Sequence, residues 1–129
     1  MPSDTKRETI LVVDDNTDIR GLAKRILEVA GYTVVTAADG EEGLCFYENY
    51  RSSIVLHLTD VVMPKIGGLE LADRIRGIDS ALPVLFMSGS SGEDYAGWEC
   101  MAKPFRPADL IETVSRVLHA NAQSAHSVS

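Results

Sequence analysis

Apolar and polar positions alternate along the chain in two distinct rhythms. Ile10–Val13 is a continuous apolar run rich in β-branched residues, the pattern of a strand buried on both faces. Ile19, Leu22, Ala23, Ile26, Leu27 and Ala30 follow at helical spacing, and Gly31 ends that helix at a C′ position. Tyr32–Ala37 reads as the next strand. After an Asp39-Gly40 turn, Glu41–Tyr50 carries Leu44, Phe46 and Tyr47 on a helical surface. Ile54–Thr59 predicts a third strand. A third helix follows Gly67-Gly68, with Leu69, Leu71, Ala72, Ile75 and Ile78. Pro83–Met87 and Trp98–Ala102 predict the fourth and fifth strands. Pro107 suits the first position of a last helix bearing Leu110, Ile111, Val114, Val117 and Leu118. Residues 1–8 read as a polar N-terminal tail, 9–119 as one folded domain, and 120–129 as a disordered tail.

Strand–helix alternation implies an α/β fold with a parallel sheet, helices on both faces and right-handed crossovers. In such sheets the working crevice lies beyond the carboxyl ends of the strands. Composition narrows the reading. The 129 residues are 45% hydrophobic and 24% charged, which fits a single core. Twelve basic against nineteen acidic side chains leave a net charge of −7. That balance argues against direct nucleic-acid binding or attachment to an anionic membrane surface. The longest apolar runs fall far short of the roughly 20 residues of a membrane span. The start has no signal-peptide pattern, and Cys45 and Cys100 lack metal or disulfide spacing, so a cytoplasmic setting is expected.

The strand ends hold the candidate chemistry. The first strand runs into Asp14-Asp15, the third into Asp60, the fourth into Met87-Ser88 and the fifth into Lys103-Pro104. Two carboxylates about 5 Å apart repel by roughly 3 kcal/mol at an effective dielectric near 20. A cluster of Asp14, Asp15 and Asp60 therefore invites a divalent cation, and oxygen-only ligands favour Mg²⁺. A carboxylate beside Mg²⁺, a lysine and a serine can also attack phosphorus to give an aspartyl phosphate. Lys103-Pro104 is an X-Pro bond at a strand end, a place where a cis peptide occurs.

Val12-Val13-Asp14-Asp15, Asp60-Val61-Val62-Met63-Pro64, Pro83–Gly89 and Lys103-Pro104-Phe105, in that order, resemble the receiver domain of bacterial two-component response regulators. The resemblance covers about Thr9 to Leu118. It implies a three-layer, flavodoxin-like doubly wound fold with a five-stranded parallel sheet in the order 2-1-3-4-5. It further implies Asp60 as phosphoacceptor, fed by a sensor histidine kinase or a histidine phosphotransfer protein. Asp14, Asp15, Asp60 and the Val62 carbonyl would hold Mg²⁺, with Ser88 and Lys103 completing the catalytic set.

The chain departs from that pattern in places. Fifteen positions separate Ser88 from Lys103, fewer than receivers usually have, so the family's helix 4 is expected to be short or missing. Cys100 stands where receivers carry an aromatic. The compact form resembles receivers carried by hybrid sensor histidine kinases. His57 is expected to be a buried or edge residue with a local hydrogen bond, since strand parity turns it and Thr59 away from Asp60. Asp39, Glu41, Glu42, Glu93 and Asp94 read as solvated faces and helix starts, and Cys100 as a small packed residue. The leading reading is a phosphorylation-controlled switch. A scaffold module that binds partners without phosphorylation is the alternative, followed by a Mg²⁺-dependent phosphatase, for which no substrate pocket is evident. The last helix has enough apolar surface for a partner or a second copy.

Overall fold

All five residues of β1 (Thr9–Val13) are buried, as an apolar run covered on both faces requires. The computed structural model describes residues 8–63, 65–89 and 99–128, with side chains described as far as residue 120. After β1 come α1 (Thr17–Val29), β2 (Thr33–Ala37), α2 (Gly40–Tyr50), β3 (Ile54–Asp60) and α3 (Gly68–Ile78), then β4 (Val84–Ser88), β5 (Glu99–Ala102) and α4 (Pro107–Val128). The strands form one parallel sheet in the order β2-β1-β3-β4-β5. The expected doubly wound fold is the one observed.

Strand parity divides the core. Ile10, Val12, Leu56, Leu58, Leu85, Met87 and Met101 face α1 and α4, meeting Ala23, Ile26, Leu27, Leu110 and Val114. The alternate residues Leu11 and Val13 face α2 and α3, against Tyr47, Leu71 and Ile75. Cys100 packs beside the buried Ala72, Val84 and Phe86, as a small core residue does. Leu22, Leu69 and Ile78 share the periodic helical faces but remain exposed, since they lie at the margins of the apolar stripes.

Local signals explain the helix boundaries. The Asn16 side chain caps α1 by accepting the N–H groups of Asp18 and Ile19 at 2.9 and 3.1 Å. Gly31, with φ of 108°, ends the same helix, a backbone conformation that suits glycine. Asp39 caps α2 through the Glu42 N–H at 2.9 Å, while the Glu42 carboxylate accepts the Ala38 N–H at 2.6 Å. Gly67 caps α3 with no side-chain hydrogen bond.

Two expectations change. Residues 120–128, expected to be disordered, continue α4 as helix to Val128. No glycine or proline interrupts that stretch, and its alanines extend a helix already anchored by Leu110 and Val114. His57 is fully buried, but among the described residues neither ring nitrogen has a hydrogen-bond partner. Its register neighbours in the sheet are Leu11 and Val84, which offer no polar side chain. Of the segment expected to lack a full helix, 89–97, all but Gly89 lies outside the described residues, as do Trp98, residues 1–7 and Pro64.

Candidate functional site

The strand rows that build the α1/α4 side of the core end in polar groups. Continuing Ile10 and Val12 by two positions gives Asp14. Continuing Leu56 and Leu58 gives Asp60, and continuing Met101 gives Lys103. The same alternation that buries leucines and valines therefore turns two carboxylates and an ammonium to one side of the sheet, at its carboxyl edge. Parallel pairing extends to this edge: the Asp14 N–H donates to the Ala37 carbonyl at 3.1 Å, and the Lys103 N–H donates to the Ser88 carbonyl at 2.7 Å.

Lys103 Nζ lies 2.9 Å from Asp14 Oδ2 and 3.2 Å from Asp60 Oδ2. Asp14 is wholly buried, Asp60 and Lys103 are nearly so at the side chain, and Asp15 is exposed at the rim. One oxygen from each of Asp14, Asp15 and Asp60 fits within a 4.8 Å cluster. Ser88 is buried at the end of β4, beside Lys103. Val62 exposes its side chain, and its N–H donates to the Asp60 carboxylate. The structure thus brings Asp14, Asp15, Asp60 and Lys103 together, with the Ser88 backbone at the same edge of the sheet. His57 and Thr59, as parity required, lie on the opposite face.

The electrostatics follow from this crowding. Burial and then the Asp14 charge push the Asp60 carboxyl above its ordinary value, against the opposing pull of Lys103. Burial alone would lower the Lys103 ammonium, but the hydrogen bond and charge of Asp14, joined by Asp60, outweigh it and raise it. Among the described residues three carboxylates thus face a single ammonium, and Asp60 carries the cost of the imbalance. A divalent cation would offset the excess, and an all-oxygen donor set suits a hard ion such as Mg²⁺. The residues fit the ion.

Some participants were not singled out from the sequence. The Asn16 N–H donates to Asp14 Oδ1 at 2.8 Å, and Arg20 Nη1 donates to the Asp14 carbonyl at 2.7 Å. Asn16 carried a legible signal, a capping residue between strand and helix. Arg20 did not, because an arginine in a first helical turn reads as solvated. Lys65, at φ 66°, reaches Asp39 and Glu41 at 3.7 and 3.5 Å and ties the loop after β3 to the start of α2. Asp39 is thus more than a solvated helix start: the Glu42 N–H lowers its carboxyl below the usual value, with Lys65 adding to the effect.

The family model of the response regulator receiver domain matches residues 10–115. The chain belongs to that family. Among similar proteins, the transcriptional regulatory protein PrrA of Mycobacterium tuberculosis is 35% identical over 128 residues, covering 93% of this chain and 54% of PrrA. The chain spans about half the length of the curated relatives it matches. The receiver domain of the hybrid histidine kinase CckA superposes with a TM-score of 0.77 at 38% identity, over 85% of this chain and 98% of that one. CheY in the CheX–CheY–BeF3–Mg²⁺ complex of Borrelia burgdorferi gives a TM-score of 0.80 at 27% identity, over 85% of this chain and 88% of that one. No helix among the described residues of this receiver is long and apolar enough to cross a membrane.

Proposed function

We propose that this receiver is a phosphorylation-controlled switch whose acceptor is Asp60. The observation that carries the reading is the Lys103 ammonium held within 3.2 Å of Asp60 and 2.9 Å of Asp14 at the carboxyl edge of the sheet. Asp60 attacks the phosphorus of a phosphohistidine on a sensor histidine kinase or a histidine phosphotransfer protein. The new bond joins an Asp60 carboxylate oxygen to phosphorus. The phosphorus–nitrogen bond breaks, and its electron pair returns to the donor imidazole. Lys103 neutralises charge on the transferring phosphoryl oxygens, and the Ser88 hydroxyl donates a hydrogen bond to one of them. The ion that Asp14, Asp15, Asp60 and the Val62 carbonyl would hold is Mg²⁺, which supplies further neutralisation of the same oxygens. The Borrelia burgdorferi relative, solved with BeF3 and Mg²⁺, supports that assignment.

The phosphorylated form shifts a pre-existing equilibrium that a partner reads. Residues 9–119 are the receiver unit in this proposal, acting in the cytoplasm. The test is incubation with acetyl phosphate and Mg²⁺ followed by intact-mass measurement. One phosphoryl group, absent after chelation of the metal and absent in Asp60→Ala, supports the switch. Mg²⁺ binding without modification points to the scaffold alternative, and sustained substrate hydrolysis to a phosphatase.

A further inference from the structure

The turn between β1 and α1 is closed by a ring of hydrogen bonds that ends on Arg20. Asp14 Oδ1 accepts the Asn16 N–H at 2.8 Å, and Asn16 Oδ1 accepts the N–H groups of Asp18 and Ile19. From the next residue of that helical turn, the Arg20 guanidinium reaches back to the Asp14 carbonyl at 2.7 Å. Each polar group of Asp14 then has a fixed partner. Its N–H meets Ala37, its carbonyl Arg20, and its two carboxylate oxygens Asn16 and Lys103.

The Asp14 carbonyl belongs to the peptide unit that joins Asp14 to Asp15. That unit is planar, so fixing its oxygen also fixes the direction of the Asp15 N–H and the placement of the Asp15 Cα. Asp14 needs little such help, being wholly buried. Asp15 is exposed, yet its carboxylate oxygen falls within the 4.8 Å cluster with Asp14 and Asp60. Something other than packing must aim it. The charge-assisted contact from Arg20 is short, and the capped helix supplies a rigid base for it.

We infer that Arg20 is a positioning residue for the metal-binding carboxylates, acting through the Asp14 carbonyl to hold Asp15 in register with Asp14 and Asp60. The inference rests on the proposed Mg²⁺ role of those carboxylates. It runs against simple electrostatics, which gives it a sign that can be read. A cation beside an acidic cluster repels Mg²⁺, so removing it tightens binding by a few-fold if charge alone matters. Removing a group that orients a ligand instead weakens binding, typically by about tenfold or more.

The experiment is calorimetric titration of the full chain with Mg²⁺ alone, for wild type, Arg20→Met, Arg20→Gln and Arg20→Lys. Arg20→Met is expected to raise the Mg²⁺ Kd about tenfold, and the Asp15 amide resonance is expected to shift in the metal-free protein. Arg20→Lys restores a charged donor and is expected to recover part of the affinity. Unchanged or tighter Mg²⁺ binding in Arg20→Met overturns the inference. If that variant does not fold, Arg20→Gln, equally neutral and too short to reach, is judged by the same criterion. The wild-type arm separates the two levels. A wild type that binds no Mg²⁺, or an Asp15→Asn variant that binds it as well as wild type, overturns the metal-site reading and the inference with it. Normal wild-type binding with an indifferent Arg20 overturns the inference only.

Discussion

The Lys103 ammonium lies 3.2 Å from the Asp60 carboxylate, although β4 separates their strands in the sheet. The lysine reaches across the carboxyl edge and meets the buried Asp14 at 2.9 Å as well. Its charge offsets part of the repulsion between the carboxylates, and it sits where a phosphoryl group on Asp60 would need neutralising.

Replacing Lys103 with methionine strands a wholly buried carboxylate beside a second one. Breaking a buried pair from one side costs about 3 kcal/mol. Urea unfolding at neutral pH without Mg²⁺ is expected to show a loss of that size. Adding Asp60→Asn to Lys103→Met should recover part of it, because one of the repelling charges is then gone. No loss in the single variant would mean that the contact is not maintained in solution.

His57 predicts a distinctive acid sensitivity. Burial lowers its pKa from 6.5 to about 3. Between those values the unfolded chain binds a proton that the folded protein does not, so stability falls as pH drops. The slope from this group alone is about 1.4 kcal/mol per pH unit. His57→Leu should remove that component from denaturation curves measured between pH 6 and pH 4. It should also raise stability at pH 7 by about 1–2 kcal/mol, because two unpartnered buried nitrogens are removed. An unaltered pH slope in the variant would show that the histidine is not buried neutral.

Two glycines behave oppositely. A Cβ at Gly68 would collide with the Asp60 carbonyl oxygen. Gly68→Ala must push α3 away from the acceptor strand, at a cost of about 2–3 kcal/mol and with slowed phosphoryl labelling. A Cβ at Gly21, within α1, meets nothing within 4 Å. Gly21→Ala should stabilise the domain by about 0.5–1 kcal/mol. Thermal melts of the two variants side by side check both signs.

Mg²⁺ held at the proposed site should raise the melting temperature, since the unfolded chain holds no such cluster. At a hundredfold excess over Kd the stabilisation is about 2.7 kcal/mol. Asp15→Asn should reduce the shift at equal Mg²⁺, while Asp73→Asn, an exposed carboxylate on α3, should leave it unchanged. Equal shifts in all three proteins would point to nonspecific screening.

The sheet order came with the family resemblance, whereas most of the pocket was legible in the sequence itself because strand parity is a simple rule. Asp14, Asp60 and Lys103 fall two positions beyond buried apolar residues on the same face, and Ser88 ends its own run. What parity cannot tell is which partner a side chain finds. His57 was expected to have a local hydrogen bond, but its neighbours across the sheet are Leu11 and Val84. Arg20 looked like any arginine in a first helical turn, and only the path of the chain past Asp14 gives it a carbonyl to hold. The end of α4 was misread because small polar residues carry no apolar period, yet they extend a helix that is already nucleated.

Borohydride trapping tests the central claim most directly. An acyl phosphate on aspartate is reduced to the alcohol, leaving homoserine at the labelled position. After acetyl phosphate and Mg²⁺, peptide mass analysis is predicted to find homoserine at position 60 and nowhere else. Homoserine at position 14, 15 or any other aspartate, or none at all in folded and Mg²⁺-bound protein, would contradict the account.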